Sequence, residues 1–518
     1  MFLKLINFIK RKYREKLILD KRREFNNYIK SIIQNKFTKN NDKNILIDAM
    51  WDNPYHFLRL LIIKFAMNKI YGGNLIGIIN SDTKKGTIET FESLQLKKIL
   101  NTNEDKIGEK YLLRAKKVFK NKKKLPFNYP YVFLEDDICK KTKNPFIDIK
   151  KSETINTAAK CIYFLDFYKN LIKTNKIECA VLSHQVTIRY STLIWLLLKK
   201  NIPVYVTHYI NGHITCRKYV KTSDLLSAKD DYLDYKSYKS LPKKKINYSI
   251  NLAKKYHESV KKNRLGVFQF LNVYKKKKYT NKKNFVTKKN LNKKNKNIFI
   301  YTNCWTDFPH CYGKQWYKNY IDWFRFTLKF ASKNKNCNWI VKPHPAEKNY
   351  GKVTAKKIVQ KFLSQNPKIN NILIEDDLSG NDTINIADTI ITSIGTGSIE
   401  MACSNKEIIY CGNTIYSNYK FGFFAKSKKE YKKILLNLHK TKIKKNKKQA
   451  LFFYGMYLAD NPKFLIYPYN NLSQDLYVDI KNFVSKNYLK IFNEISLFKK
   501  WLLSEKSSYN TFKNYYLN

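Results

Sequence analysis

From Asn44 onward the chain alternates short apolar runs with longer amphipathic stretches, and this rhythm restricts the possible folds severely. Ile45-Leu46-Ile47 reads as a strand, Pro54 to about Tyr71 as a helix and Leu75-Ile76-Gly77-Ile78-Ile79 as a second strand, together one β-α-β unit. The pattern returns at Cys179-Ala180-Val181-Leu182, a helix over about 187–199 and Val204-Tyr205-Val206. A second block places strands at 298–301, 339–341, 372–374, 389–392 and 408–410, with helices over about 316–333, 352–365 and 398–404. Strands without polar alternation are buried on both faces, so the expected class is α/β, with parallel sheets covered by helices.

The two blocks are separated by a Lys/Asn-rich run, 274–297, whose charge repulsion and lack of apolar period read as a linker. The expected organisation is therefore an N-terminal Rossmann-like domain over 41–273 and a C-terminal one over 298–445. An aromatic, helical tail over 446–518 follows, with no catalytic signature. Residues 1–40 open with apolar side chains at 2, 5, 6, 9, 13 and 17 and bases between them, a basic amphipathic helix. It is suited either to an anionic membrane surface or to packing on its own protein. Its apolar stretch is too short and too charged for a signal peptide, and no small-residue cleavage site follows. Two doubly wound domains are expected to face a cleft at the carboxyl ends of their strands, where open α/β sheets take ligands.

Composition narrows the function classes. Against 40 Asp+Glu stand 100 Lys+Arg, a formal net charge of +60 over 518 residues. Only ten of those bases are arginine, and lysine is spread through every segment, the pattern that AT-rich coding produces. A dedicated nucleic-acid reader concentrates arginine on one element, so no nucleic-acid partner is expected. The field still attracts polyanions such as nucleotides, acidic glycans and lipid headgroups. Nine scattered cysteines without a C-x-x-C pair read as reduced cytosolic thiols, and Cys304 and Cys311 near His310 match no zinc spacing. No apolar run approaches the ~20 residues of a membrane-spanning helix. The expected location is cytoplasmic, whether free or peripheral on the inner membrane.

Two segments carry chemistry. In Ile340-Val341-Lys342-Pro343-His344-Pro345 an apolar strand ends in a cation and an imidazole between two prolines, which fix the backbone there. Such a pair suits a phosphate or sugar oxygen, unless it is only a strand-end turn. In Thr392-Ser393-Ile394-Gly395-Thr396-Gly397-Ser398-Ile399-Glu400 two glycines follow a strand and open a helix, so main-chain N–H groups can approach an anion. No Gly-Lys-Ser/Thr follows, which excludes a P-loop. Glu400, one turn into the helix, either reaches a ribose hydroxyl or supports the helix dipole.

These segments, with Ala387-Asp388-Thr389-Ile390-Ile391 before the glycine loop, resemble the C-terminal domain of GT-B glycosyltransferases that build bacterial capsule and surface polysaccharides. Phe308-Pro309-His310 and Tyr320-Ile321-Asp322-Trp323 are similar to the block upstream in such proteins. Ile47-Asp48-Ala49-Met50-Trp51-Asp52-Asn53-Pro54-Tyr55-His56 and Val181-Leu182-Ser183-His184 match less specifically. The resemblance covers 298–412 well and 44–220 in part. It implies a nucleotide-activated sugar or polyol phosphate held by the C-terminal domain, a glycan or lipid-linked acceptor held by the N-terminal one, no cofactor and no obligatory metal.

On that reading Lys342, His344, Ser393, Gly395, Thr396, Gly397, Ser398 and Glu400 hold the donor, and its leaving phosphate is stabilised electrostatically. His184, His310 and Asp52, with Asp48 as a further carboxylate, are the candidates for the base that deprotonates the acceptor. His208, His213, Arg217 and Asp136, the last expected at a strand end, line the acceptor side. His257 and His439 lie in lysine-rich helical stretches and are expected to be solvated. The acidic groups Glu135-Asp136-Asp137 and Glu375-Asp376-Asp377 read either as metal-holding carboxylates or as turns that balance local lysine. Two other functions remain open: a nucleotide-sugar epimerase on the same fold, and a non-catalytic polyanion binder.

Overall fold

The computed structural model of the chain describes residues 20–33, 43–51, 54–71, 73–120, 124–210, 213–225, 235–262, 278–279, 281–310, 316–412, 414, 416–457, 476–506 and 508–510. They form two compact units. The first comprises Met1–Tyr129, Ala158–Leu225 and Pro462–Asn518, the second Pro130–Thr157 and Leu226–Asn461.

The first unit is built on β1 (Asn44–Asp48), β2 (Asn74–Ile79), β3 (Leu96–Asn101), β4 (Ile177–Leu182), β5 (Val204–Ile210) and β6 (His213–Tyr219). The order β3-β2-β1-β4-β5 is parallel throughout and reverses direction between β1 and β4, so the sheet is doubly wound about that point. β6 returns antiparallel on β5, and the C-terminal strand Ser508–Asn510 pairs antiparallel with β6. β1 is buried along its whole length, as its uninterrupted apolar run requires. β3 is an edge strand whose Lys97 and Lys98 are exposed, a charge pattern that discourages further pairing. The helix Pro54–Tyr71, with Pro at its first position, covers one face of this sheet and is itself packed by the helices Leu476–Lys486 and Tyr488–Leu502.

The second unit carries β7 (Lys296–Tyr301), β8 (Cys337–Lys342), β9 (Ile372–Ile374), β10 (Thr389–Thr392), β11 (Glu407–Tyr410) and β12 (Phe423–Phe424). Every pair is parallel, and the order β9-β8-β7-β10-β11-β12 reverses between β7 and β10. Both units are thus doubly wound α/β sheets. The register sets Lys342 beside Tyr301 and Tyr301 beside Thr392, one row across the carboxyl edge. Asn319 and Ser379 cap the helices that follow, Ser379 in a reciprocal pair with Asp382.

Three boundaries differ from the sequence reading. Within the expected linker, the helix Lys282–Lys288 is capped by Asn281 and anchored by buried Tyr279, Phe285 and Val286, and β7 already begins at Lys296; the apolar anchors outweigh the surrounding lysines. Residues 274–277 and 280 lie outside the described ones. The tail divides between the units. Its helix Lys447–Tyr457 packs on the helix Lys243–Lys261 of the second, so closely that a Cβ at Gly455 would collide with the Ser249 carbonyl oxygen, while residues 476–510 complete the first. Residues 130–157 and 235–262, expected in the N-terminal domain, belong to the second unit. The extension 1–19 lies outside the described residues, and 20–33 is helical, with Phe25, Ile29 and Ile33 in the first unit's core.

Candidate functional site

In the first unit the carboxyl ends of β1 and β4, where the winding reverses, carry a buried polar cluster. Asp48 is fully buried; its Oδ1 accepts from His56 Nε2 at 2.9 Å, and its Oδ2 accepts the Ser183 amide at 3.0 Å and the Ser183 hydroxyl. Burial alone would raise the Asp48 carboxyl, but the His56 imidazole and the Ser183 donors together hold it below its ordinary value. Ser183 Oγ also lies 2.9 Å from His184 Nδ1. The serine has one proton, committed to the carboxylate, so Nδ1–H of His184 is the donor and its Nε2 keeps a lone pair. Trp51 meets that ring edge to face at 4.8 Å. Burial, helped by His56 and Arg59 and opposed by Asp48, pushes His184 down to about 4, so it is neutral at pH 7.

In the second unit the loops leaving β7, β8 and β10 converge at the carboxyl edge. His344 is half-buried, and its amide donates to Thr302 Oγ1 at 3.0 Å. The Ala346 amide donates to its Nδ1 at 3.2 Å, and Cys304 Sγ lies 3.0 Å from the same nitrogen. Nδ1 therefore carries no proton, the thiol is its second donor, and the ring presents Nε2–H. Burial lowers the His344 pKa against the field of Asp307, so this donor is neutral. Cys304 is itself kept a thiol, its pKa pushed up to about 12 by burial and by Asp307 and Glu347.

The glycine loop is tied from inside. Gly395 N–H donates to Thr392 Oγ1 at 3.1 Å, and its carbonyl accepts from Ser398 Oγ at 2.7 Å and Tyr416 OH at 3.0 Å. A Cβ at Gly395 would stand 2.8 Å from Thr392 Oγ1, which is why glycine is needed there. The short helix Gly397–Cys403 begins next, and among the described residues no protein acceptor takes the amides of Thr396 and Gly397.

A helix from earlier in the sequence borders this edge. Asp136, Lys140 and Lys143, spaced about one turn apart on Tyr131–Thr142 and its cap, reach the loops after β7 and β8 in turn. Asp136 accepts from His310 Nδ1 at 2.6 Å and from the His310 amide at 3.2 Å, Lys140 pairs with Asp307 at 2.7 Å, and the Lys143 carbonyl accepts the Lys352 amide at 3.0 Å. His310 Nε2 meets the Lys318 carbonyl at 2.8 Å, so both ring nitrogens donate and the ring is an imidazolium. Burial opposes that charge, and the Asp136 carboxylate outweighs it, raising the His310 pKa.

Several expectations are corrected by this geometry. Asp136 lies on a helix, not at a strand end: Phe133 and Leu134 of the preceding apolar run are buried, with Asp137 and Ile138, on the packed side of Tyr131–Thr142. His310 has no nitrogen left to take a substrate proton. Lys342 turns its ammonium to the Leu378 carbonyl and is buried, its pKa pushed down to about 8 by burial against Asp382 and Asp376. It supplies field rather than an outward contact. Ser393 and Ser398 are buried, and the Ser398 hydroxyl bonds the loop itself. His257 is buried, not solvated, with Nε2 2.9 Å from Ser404 Oγ. The acidic turn after β9 serves local lysines, Glu375 pairing with Lys289 and Asp377 with Lys278.

His208 and His213 lie on paired strands β5 and β6, but their side chains, like Asp52, fall outside the described residues; Arg217, on β6, pairs in register with Ser508. Glu400 sits half-buried one turn into its helix. Thr302 and Tyr416 carry no signal in the sequence because their partners are distant in it, and Cys304, read as a plain thiol, gives no sign of its contact with His344. Glu347, its carboxyl pushed up to about 7 by burial and bonded by the Ala355 amide at 2.8 Å, had no local signal either.

No family model and no curated protein matches the chain. Among solved structures it is similar to a Thermosulfurimonas dismutans KpsC, beta Kdo 2,4 transferase, at 10% identity over 54% of this chain and 78% of that one, TM-score 0.33. It is also similar to a glycosyltransferase from Rickettsia africae ESF-5, at 12% identity over 89% and 99%, TM-score 0.27. A UDP-GlcNAc 2-epimerase from Neisseria meningitidis bound to UDP-GlcNAc aligns at 11% identity over 86% and 100%, TM-score 0.19.

Proposed function

We propose that the chain is a GT-B-type glycosyltransferase of surface-polysaccharide assembly. It moves a sugar, or a polyol phosphate, from a nucleotide-activated donor to a hydroxyl of a glycan or lipid-linked acceptor. One observation carries the reading: at the carboxyl edge of the second sheet N–H donors are on offer, while the carboxylates of Asp307, Asp136 and Asp382 are already engaged. His344 Nε2–H and the amides of Thr396 and Gly397 stand ready for an anion. Asp307 is taken by Lys140, Asp136 by His310, and Asp382 by Ser379 and the amides of Lys278 and Tyr279. Oriented neutral donors of this kind favour charge that develops on a departing phosphate.

In the first unit, His184 is the group we assign as base. Its Nε2 lone pair takes the acceptor proton as the acceptor oxygen bonds the transferred group, and the nucleotide leaves with the electrons of the broken bond. The Asp48 carboxylate, acting through Ser183, stabilises the imidazolium that forms.

Incubation with UDP-, CDP-, CMP- and GDP-linked donors, with and without an acceptor glycan, tests the reading. A transferase releases nucleotide far faster with acceptor present, and a chelator leaves the rate unchanged. Epimerisation of the donor alone would replace this reading by the epimerase one, and no turnover of any donor would leave a binding protein. His184→Ala is expected to lower kcat by about 100-fold or more with KM for the donor unchanged.

A further inference from the structure

Eight large apolar side chains are exposed among the described residues, and four of them lie on one helix and its cap. Tyr488 (50% exposed), Leu489 (78%), Phe492 (53%) and Leu503 (68%) belong to Tyr488–Leu502 and its C-cap, in the first unit. At 100° per residue they fall, with Ser496, Lys499 and Lys500, within an arc of about 120°. The opposite side, Ile491, Glu494, Phe498, Trp501 and Leu502, is buried. The helix is therefore apolar on both faces, one packed and one not. Lys499 and Lys500 lie in the outward arc, and Lys486 and Lys506 are exposed beyond its ends; Glu505 is the acidic neighbour.

We propose that this stripe docks on an anionic lipid bilayer. Tyr488, Leu489, Phe492 and Leu503 enter the headgroup region, and the lysines extend along them to the lipid phosphates. Charge selects this occupant over a second copy of the chain: two molecules of net charge +60 repel, whereas a negative surface attracts each of them. The stripe is distinct from the amphipathic pattern of residues 2–17 and is independent of the donor chemistry.

Sedimentation of the full chain with vesicles of phosphatidylglycerol and phosphatidylcholine, against phosphatidylcholine alone, tests the proposal in low and high salt. The expected result is binding that needs the anionic lipid and persists in part at high salt. Because Leu489 and Phe492 are exposed, Leu489→Ser/Phe492→Ser should keep its melting temperature and nucleotide binding, yet lose about tenfold in partitioning at high salt. Lys499→Gln/Lys500→Gln should lose about tenfold at low salt. Absence of vesicle binding, or equal binding by the apolar double variant at both salts, overturns the proposal. So does self-association in sedimentation equilibrium that this double variant abolishes, since a second copy would then be the occupant.

Discussion

His310 donates to Asp136 twice, from ring Nδ1 at 2.6 Å and from its own amide at 3.2 Å, and so joins a helix to a loop 174 residues later. Asp136 is 1% exposed. Removing one partner of such a pair leaves a buried charge unanswered, at a cost of about 3 kcal/mol.

His310→Ala should therefore unfold at a lower temperature than wild type. Because the folded pKa of His310 lies above its unfolded value, the pair's contribution is complete below about pH 6.5 and fades as pH rises through the folded value. Melting both proteins from pH 5 to pH 9 should show a gap that narrows upward. A gap of constant size would mean that the ring is held neutral.

His257 and His184 have the opposite sign. Both are pushed down to about 4, by burial first, so folding favours their neutral forms. Their contribution is present above about pH 6.5 and is lost as pH falls toward 4. Wild-type stability should drop over that window by up to about 1.4 kcal/mol per pH unit for each histidine. His257→Gln, which keeps a hydrogen-bonding group near Ser404, should flatten the acid limb of the Tm profile, and an unchanged limb would contradict the assignment.

Gly395 tests the loop. An alanine Cβ would meet Thr392 Oγ1 at 2.8 Å, so Gly395→Ala should cost about 1–2 kcal/mol in stability and weaken nucleotide binding. Thr392→Ala in the same chain removes the obstructing hydroxyl. Denaturant melts of the double variant should recover part of the loss, and simple additivity would show that the contact is not the cause.

Much of the fold was legible because the strands at 45–47, 75–79, 298–301 and 339–341 are uninterrupted apolar runs, which sheets buried on both faces require. β3 escaped notice because an edge strand tolerates Lys97 and Lys98, and Ser508–Asn510 because its partner β6, not its own hydrophobicity, makes it a strand. Asp136 is expected at a strand end but lies on the helix Tyr131–Thr142, because the short apolar stretch before it fits either period. In the site, the Lys-Pro-His-Pro turn and the glycine loop were visible as strand ends. What Lys342 and His310 bond was not, since their acceptors, the carbonyls of Leu378 and Lys318 and the Asp136 carboxylate, are chosen by tertiary packing.

The most direct test of the account is calorimetric titration of UDP, CDP, GDP and CMP into wild type and His344→Ala. The expected result is one-to-one binding of one of these nucleotides to wild type, weakened about tenfold or more in the variant by loss of the Nε2–H donor to a phosphate. Equal affinity in the two proteins, or no nucleotide bound by wild type at low millimolar concentration, would contradict the claim that the carboxyl edge of the second sheet is an anion site.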